Sequence, residues 1–191
     1  MSSNSQASWP QSVKFHAVRG PLTRRRVASE GQQESVALGD PGLLLPQIWP
    51  AALGKNCKVL VIPHFATHKT FMAKYAQSLP KYWDVLDLLA SPQAICEKIA
   101  GADMVVSSSL HGIIVADAYK VPSCWMEPHG KIKGDGFKFE DYAAQRGRAL
   151  NTPVDFEDVL KGSVDLDDER FAAHPPTDEV ITRLVDAFPF K

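Results

Sequence analysis

Between residues 58 and 126, short apolar runs alternate with longer segments that have helical spacing, and this alternation constrains the fold most. Four runs are predicted to be strands: Lys58–Ile62, Trp83–Leu86, Met104–Ser107 and Ser123–Met126. Unbroken apolar runs such as Lys58–Ile62 are typical of strands buried on both faces of a sheet. Strands that are separated by crossover helices pair in parallel. The sequence therefore predicts an α/β fold, a Rossmann-like parallel sheet with helices on both faces.

Capping residues and prolines predict where the helices begin. Ser91 and Pro92 begin a helix that extends to about Ala100, and Thr177 caps a last helix over Asp178–Phe188. The other predicted elements are strands at Val13–Val18 and Val36–Leu38 and helices at Thr23–Glu30, Thr67–Leu79, Leu110–Tyr119, Phe139–Arg148 and Asp155–Leu160. Helices therefore follow the first three central strands, as a parallel sheet requires.

Composition and charge narrow the range of functions. The 191 residues are 45% hydrophobic and 23% charged, which is ordinary for a globular protein with one core. The formal net charge of -1 provides no field that attracts nucleic acid or an anionic membrane. We therefore predict no nucleic-acid partner.

Cysteine use and the N-terminal sequence favour a cytoplasmic protein. Cys57, Cys96 and Cys124 are an odd number of widely spaced cysteines, which favours free thiols in a reducing compartment. No apolar run reaches the roughly 18–20 residues that span a bilayer. The polar start of the chain lacks the apolar middle of a signal peptide, and we expect residues 1–12 to form a flexible tail.

The polar sequence SSSLHG lies where a buried strand meets a helix. Ligands of open α/β sheets bind beyond the carboxyl ends of the strands, and the N–H groups of a helix start favour phosphate or carboxylate. Ser107, Ser108 and Ser109 are predicted to donate hydrogen bonds to such an anion, and Gly112 lets the backbone approach it. His111 is the candidate for proton transfer near neutral pH. The alternative is an ordinary helix start in which the serines are caps.

His64 follows the predicted strand Lys58–Ile62 at the same edge of the sheet, so it is a second candidate for ligand binding. The usual glycine motifs of dinucleotide and ATP sites are absent, no CxxC pair is present, and the acidic residues are scattered. We therefore predict no metal site and no bound cofactor.

Ala102–Gly112 resembles the signature of the polysaccharide pyruvyl transferase family. That signature is an acidic residue, a hydrophobic strand, a turn of the Ser-Arg-Leu-His-Gly type and a small-residue helix that ends in Gly-(Val/Ile)-Pro. Ala116–Ala118 and Val121–Pro122 resemble its later part. One departure is Ser109, which stands where many members of the family have arginine.

Three upstream segments resemble the same family in the same order. Ala17–Thr23 is similar to its Val-Arg-x-x-x-Ser/Thr segment and Leu38–Leu44 to its Asp-Pro-x-x-Leu segment. Val61–His64 is similar to a strand end in the succinoglycan-type branch. The resemblance spans about Val13 to Pro128, and it implies that the chain corresponds to the C-terminal half of a two-lobed architecture like that of the GT-B glycosyltransferases.

The resemblance implies a pyruvyl transferase of cell-surface or exopolysaccharide synthesis. Such an enzyme moves the enolpyruvyl group of phosphoenolpyruvate onto a sugar and forms a pyruvate ketal. Phosphoenolpyruvate is then the donor substrate, the acceptor is a saccharide carried on a lipid, and His111 transfers a proton or positions the donor. A homodimer, or a partner that supplies the first lobe, is also implied.

The resemblance also suggests a domain division and further site residues. Residues 13–56 would be the end of the first lobe with a linker, and residues 57–191 a Rossmann-like C-terminal lobe. Arg19 would contact a substrate at the lobe junction, or else form a surface ion pair. Lys131 and Lys133 would replace the arginine charge missing at Ser109, or else lie on a solvated loop. Glu127 follows the last central strand and, by analogy with GT-B folds, would meet the ligand.

Two alternatives remain at this stage. A GT-B-like glycosyltransferase would use the same crevice for the diphosphate of a nucleotide-sugar. A truncated lobe without catalytic activity would bind a ligand or a partner but convert no substrate.

Overall fold

The computed structural model describes residues 9–10, 12–27, 34–51, 54–127, 136–147 and 152–190. The chain divides into two compact units. We call residues 44–132 with 151–175 the sheet unit, and residues 1–43 with 133–150 and 176–191 the terminal unit. Most of the predicted flexible tail, residues 1–8 and 11, lies outside the described residues.

The elements follow one another in a mixed order of strands and helices. In chain order they are β1 (Ala17–Val18), α1 (Pro21–Val27), β2 (Ala37–Leu38), α2 (Leu45–Ile48), β3 (Cys57–Ile62), α3 (His68–Tyr75), β4 (Trp83–Val85), α4 (Pro92–Ala100), β5 (Ala102–Ser107), α5 (Leu110–Ala118), β6 (Ser123–Trp125), α6 (Phe137–Gln145), α7 (Phe156–Leu160) and α8 (Asp178–Asp186). Short 3-10 turns occupy Pro41–Leu44, Phe65–Thr67 and Glu169–Phe171. None of the described helices is long and apolar enough to cross a membrane.

The sheet unit contains a four-stranded sheet in the order β4-β3-β5-β6. All three pairings are parallel, and Ile62 at the end of β3 lies opposite Ser107 at the end of β5. A parallel bridge between Met126 and Val154 continues the pairing beyond β6. This confirms the predicted parallel sheet.

Both faces of this sheet are covered, because successive side chains of a strand point to opposite faces. On β3, Val59 and Val61 pack in one cluster with Phe71 of α3 and Phe156 of α7. Leu60 and Ile62 of β3 lie on the other face, where they join a second cluster with residues of α4 and α5, including Ile99. The sheet is therefore buried between two helical layers, and the Rossmann-like prediction is confirmed.

The terminal unit joins segments that are distant in sequence. Its strands β1 and β2 form a parallel pair, with Val18 opposite Leu38. Helix α8 packs on β2. Gly39, directly after β2, has a φ of +148°, and a Cβ at this position would lie only 2.8 Å from the side chain of Leu184 in α8. Helix α6 packs against α1, and the fully buried Asp141 of α6 accepts hydrogen bonds from the start of α1.

These contacts divide the chain differently from the sequence prediction. The sequence assigned residues 57–191 to one lobe, whereas residues 133–150 and 176–191 belong to the same compact unit as residues 1–43. The physical reason is the buried carboxylate of Asp141 at α1 together with the packing of Leu184 on β2. The predicted strand over residues 13–18 is also shorter, because only Ala17–Val18 pairs with a neighbour.

Candidate functional site

The strand order places a topological switch point between β3 and β5. After β3 the chain moves to β4 on one side of the sheet, and it then returns to form β5 on the other side of β3. In open α/β sheets, ligands bind beyond the carboxyl ends of the strands at such a point. The two strand ends stay connected up to the turn, because the Ser108 N–H donates to the Ile62 carbonyl at 3.0 Å. His64 and the SSSLHG turn therefore follow neighbouring strands at one edge of the sheet.

Ser107 and Gly112 hold this turn together. Ser107 is fully buried; its hydroxyl donates to the Ser109 carbonyl at 2.8 Å and accepts from the Ser109 N–H at 3.0 Å. A Cβ on Gly112 would lie 3.0 Å from the Ser107 Cβ and closer still to its hydroxyl. Both residues were predicted to serve a ligand, but here the hydroxyl of Ser107 serves the turn and Gly112 makes room for that hydroxyl.

The first turn of α5 has no side-chain cap. Ser109 is the N-cap residue, with φ -101° and ψ 129°, yet its side chain makes no capping hydrogen bond. Ser108 is 3% exposed, and its hydroxyl has no hydrogen-bond partner among the residues that the structure describes. A buried hydroxyl without a partner costs about 1–3 kcal/mol, so such a group marks a place where a ligand or water is accommodated. The alternative of serines that simply cap the helix does not describe this turn.

His111 and His64 lie on the two sides of the switch point. His111 is the second residue of α5 and is exposed. His64 is half-buried, and its Nδ1 accepts a hydrogen bond from the Ala66 N–H at 3.2 Å. Directly after it, Phe65 is 71% exposed, which is unusual for a large aromatic side chain. No sequence pattern predicted the hydrogen bond within the His64 turn.

The remaining predicted site residues have different positions. Glu127 follows β6 at the same edge as the turn and is exposed, while its N–H donates to the Val154 carbonyl at 2.8 Å. Arg19 belongs to the terminal unit, where its Nε lies 3.5 Å from the carboxylate of the buried Asp40. Lys131 and Lys133 lie outside the described residues.

Sequence reasoning missed one cationic group near Arg19. Lys138 of α6 also belongs to the terminal unit, and burial lowers the pKa of its ammonium group. The Arg19 guanidinium lowers this pKa further because two positive charges repel each other. No single motif links Arg19 and Lys138 in the sequence, since the fold alone brings them together.

A metal ion has no ready set of ligands among the described residues, where no three His, Cys, Asp or Glu side chains form a suitable group. His64 and His68 have the spacing of a helical metal-binding pair. His64, however, has the extended φ and ψ of -64° and 140° and lies before α3, so the two do not share one helical face.

A depression of about 580 Å³ lies at the opposite edge of the sheet unit. Its walls include Lys58, Trp83 and Met104, which are at or near the amino ends of β3, β4 and β5. We place the candidate site at the carboxyl edge instead, because ligands of this sheet class bind there and the uncapped helix start lies there.

Replacing Gly112 with alanine should lower the free energy of unfolding by about 1–3 kcal/mol, because the new methyl group would displace the Ser107 hydroxyl. The measurement is chemical denaturation. Combining Gly112→Ala with Ser107→Ala removes the obstructing hydroxyl, so the pair should cost less than the sum of the two single variants. Alanine is the better helix former by about 1 kcal/mol, and a net gain in stability would therefore contradict this packing argument.

Comparison with known proteins bears on the same turn. The sequence matches the family described as Polysaccharide pyruvyl transferase over residues 7–130, a range that contains β1 to β6 and the SSSLHG turn. The chain belongs to the polysaccharide pyruvyl transferase family. This confirms the resemblance inferred from the sequence, while α6, α7 and α8 lie beyond the matched range.

Two curated relatives of this pyruvyl transferase family member extend the comparison. It is 28% identical over 167 residues to the succinoglycan biosynthesis protein ExoV of Rhizobium meliloti (strain 1021), which covers 81% of this chain and 49% of that protein. It is 29% identical over 175 residues to an uncharacterised protein of Acanthamoeba polyphaga mimivirus, covering 85% of this chain and 58% of that protein. The chain thus spans about half the length of these relatives. No solved structure matches it.

Proposed function

We propose that this chain binds phosphoenolpyruvate at the carboxyl ends of β3 and β5 and transfers its enolpyruvyl group to a sugar. The observation that carries the proposal is the start of α5. Within the described part of the chain it has no side-chain cap, and the adjoining Ser108 hydroxyl has no hydrogen-bond partner there. Helix N–H groups and a hydroxyl donor suit the phosphate and the carboxylate of this donor. The family and the similarity to a succinoglycan biosynthesis protein support the same reaction class.

The reaction needs one proton to be delivered and two to be removed. C3 of phosphoenolpyruvate gains a proton, two sugar hydroxyl oxygens bond to C2, and the bond from C2 to the phosphate oxygen breaks. Of the two hydroxyl protons, one balances the proton gained by C3 and the other leaves with inorganic phosphate. His111, exposed in the first turn of α5, is the residue that we assign to proton transfer.

The acceptor in this proposal is a saccharide carried on a lipid. The exposed ring of Phe65 follows β3 at the proposed donor site and provides an apolar face that a sugar ring can cover. The activity of the 191 residues by themselves belongs to the proposal, as does a second copy or a partner polypeptide that completes the enzyme. Assays should therefore include the chain alone and the chain in any assembly that it forms.

Phosphoenolpyruvate should raise the melting temperature of the protein in phosphate-free buffer. At a ligand concentration near 100 times the dissociation constant, we expect about 2.7 kcal/mol of stabilisation. Differential scanning fluorimetry with phosphoenolpyruvate, pyruvate and uridine diphosphate makes the test specific. Pyruvate lacks the phosphate and should have little effect. If uridine diphosphate raises the melting temperature and millimolar phosphoenolpyruvate does not, the result favours a glycosyltransferase and contradicts the assignment of phosphoenolpyruvate as the donor.

A further inference from the structure

Apolar side chains form a row across three strands at the amino edge of the sheet unit. Trp83 at the start of β4 lies opposite Val59 of β3, and Val59 lies opposite Met104 of β5. Aligned residues of paired strands point to the same face, so the row extends about 10 Å across the strands. Phe171, which is 1% exposed, belongs to the same apolar cluster. These four residues give the depression of about 580 Å³ at this edge an apolar floor.

A second depression, of about 540 Å³, adjoins the first at this edge. Lys58, Trp83 and Asp103 line both depressions, so the two are parts of one groove, which we call the amino-edge groove. Tyr82, which is 65% exposed, lines the second depression, and the exposed Asp167 lines the first. Each depression is within the range of roughly 300–1,000 Å³ that is usual for small-molecule pockets. Together they can hold a ligand of two or more linked units.

Charged groups of both signs surround the apolar floor. The ammonium group of Lys58 and the carboxylates of Asp103 and Asp167 belong to exposed residues that line the first depression. Lys55 lines the second depression, where its Nζ lies 3.1 Å from the Asp103 carboxylate. A hydroxyl group both donates and accepts hydrogen bonds, so a wall with ammonium groups and carboxylates can bond to it in either role.

The apolar floor and the mixed charges together favour one class of ligand. The C–H faces of sugar rings pack on aromatic rings such as those of Trp83 and Tyr82, while the sugar hydroxyls bond to charged groups around them. A strongly basic ligand would meet the lysines of the groove, and a strongly acidic one would meet its carboxylates. Either would be repelled by part of the wall, whereas an uncharged saccharide is not.

We infer that the amino-edge groove binds a neutral oligosaccharide, with sugar rings against Trp83 and Tyr82 and hydroxyls bonded to the charged wall. The groove lies at the opposite edge of the sheet from the proposed donor site. It is therefore a separate binding site, and the inference does not depend on the proposed reaction.

Binding of the full chain to immobilised saccharides tests the inference. The neutral probes are oligomers of glucose, galactose, mannose or N-acetylglucosamine, and tetralysine and an oligomer of galacturonic acid are the charged probes. We expect at least one neutral hexasaccharide to bind about tenfold more tightly than its disaccharide, because the longer chain reaches both depressions. Failure of every neutral oligosaccharide to bind would overturn the inference, whether or not a charged probe binds.

One exposed residue from each depression makes the test specific to the groove. Tyr82→Ala should weaken hexasaccharide binding about 3- to 10-fold through loss of a stacked ring, and Asp167→Ala about tenfold through loss of a hydrogen bond to a charged group. Both variants should keep the parental melting temperature, since exposed side chains pack little. Phe188→Ala and Asp186→Ala are the matched controls: they remove a similarly exposed ring and carboxylate from the terminal unit and should bind like the parent.

Phe65→Ala separates this site from the proposed acceptor site at the carboxyl edge. If Phe65→Ala loses the oligosaccharide while Tyr82→Ala and Asp167→Ala keep it, the saccharide binds at the acceptor site and the inference is wrong. An effect of only one groove variant would contradict a site that uses both depressions. Lack of phosphoenolpyruvate binding would leave all of these results unchanged, so the proposed function and this inference can fail separately.

Discussion

Replacing His111 with alanine is expected to slow ketal formation by about 100- to 10,000-fold, because a positioned acid or base contributes about that much to a rate. The stability should change by about 0.5 kcal/mol or less, since an exposed residue in a first helical turn packs little. The measurement is ketal formed per folded molecule, with phosphoenolpyruvate and a saccharide acceptor, in whichever assembly is active.

His68 supplies a matched control for this experiment. It is the first residue of α3, so it too is a histidine at the start of a helix in the sheet unit, but the proposed reaction gives it no role. His68→Ala should therefore turn over at the parental rate. If His111→Ala is equally fast, His111 only begins a helix and proton transfer must be reassigned to His64 or Glu127, which follow β3 and β6 at the same edge.

Replacing Asp141 with asparagine should lower the free energy of unfolding by about 2–4 kcal/mol. The fully buried carboxylate accepts hydrogen bonds from the Leu22 N–H at 2.8 Å, the Thr23 N–H at 3.0 Å and the Thr23 hydroxyl at 2.5 Å. An amide group replaces one acceptor oxygen with a donor, so at least one of these three donors loses its partner. The substitution also removes a negative charge from the positive end of α1.

Chemical denaturation and hydrogen exchange together test this role. The amides of α1 should exchange faster in Asp141→Asn, because the start of that helix depends on the carboxylate. Glu140→Gln is the control: it removes a neighbouring charge from the exposed side of the same helix and should change stability by less than about 0.5 kcal/mol. Equal stability of the two variants would mean that Asp141 contributes no more than a surface charge.

The sequence predicts the sheet unit well because its signals are local. The apolar runs of β3 and β5 indicate burial on both faces, and the hydroxyl of the predicted cap Ser91 accepts from the Ala94 N–H as expected. The edge that carries the SSSLHG turn follows from the position of the turn directly after a strand of a parallel sheet. These features depend on residues that are close together in the chain.

Features that depend on distant residues could not be predicted in this way. A helix was expected to begin at Thr23, but α1 begins at Pro21, and the N–H groups of Leu22 and Thr23 donate to Asp141, a residue with no local reason to be buried. The role of Ser107 was also missed, because a serine before a helix has the same sequence whether its hydroxyl faces a ligand or the turn. The two compact units could not be predicted for the same reason, since the terminal unit joins segments from both ends of the chain.

The dependence of α1 on Asp141 has a consequence during synthesis on the ribosome. Thr23 and Asp141 are 118 residues apart, so at about 5–20 residues per second the carboxylate emerges roughly 6–24 seconds after the helix that it caps. A seven-residue helix is too short to persist in water by itself. During that interval the residues of α1 lack both the Asp141 cap and the α6 helix against which they pack. Their three consecutive arginines keep this unfolded segment charged and hydrated. The sheet unit can complete β3 to β6 in the meantime, so the terminal unit is expected to be the last part of the nascent chain to fold.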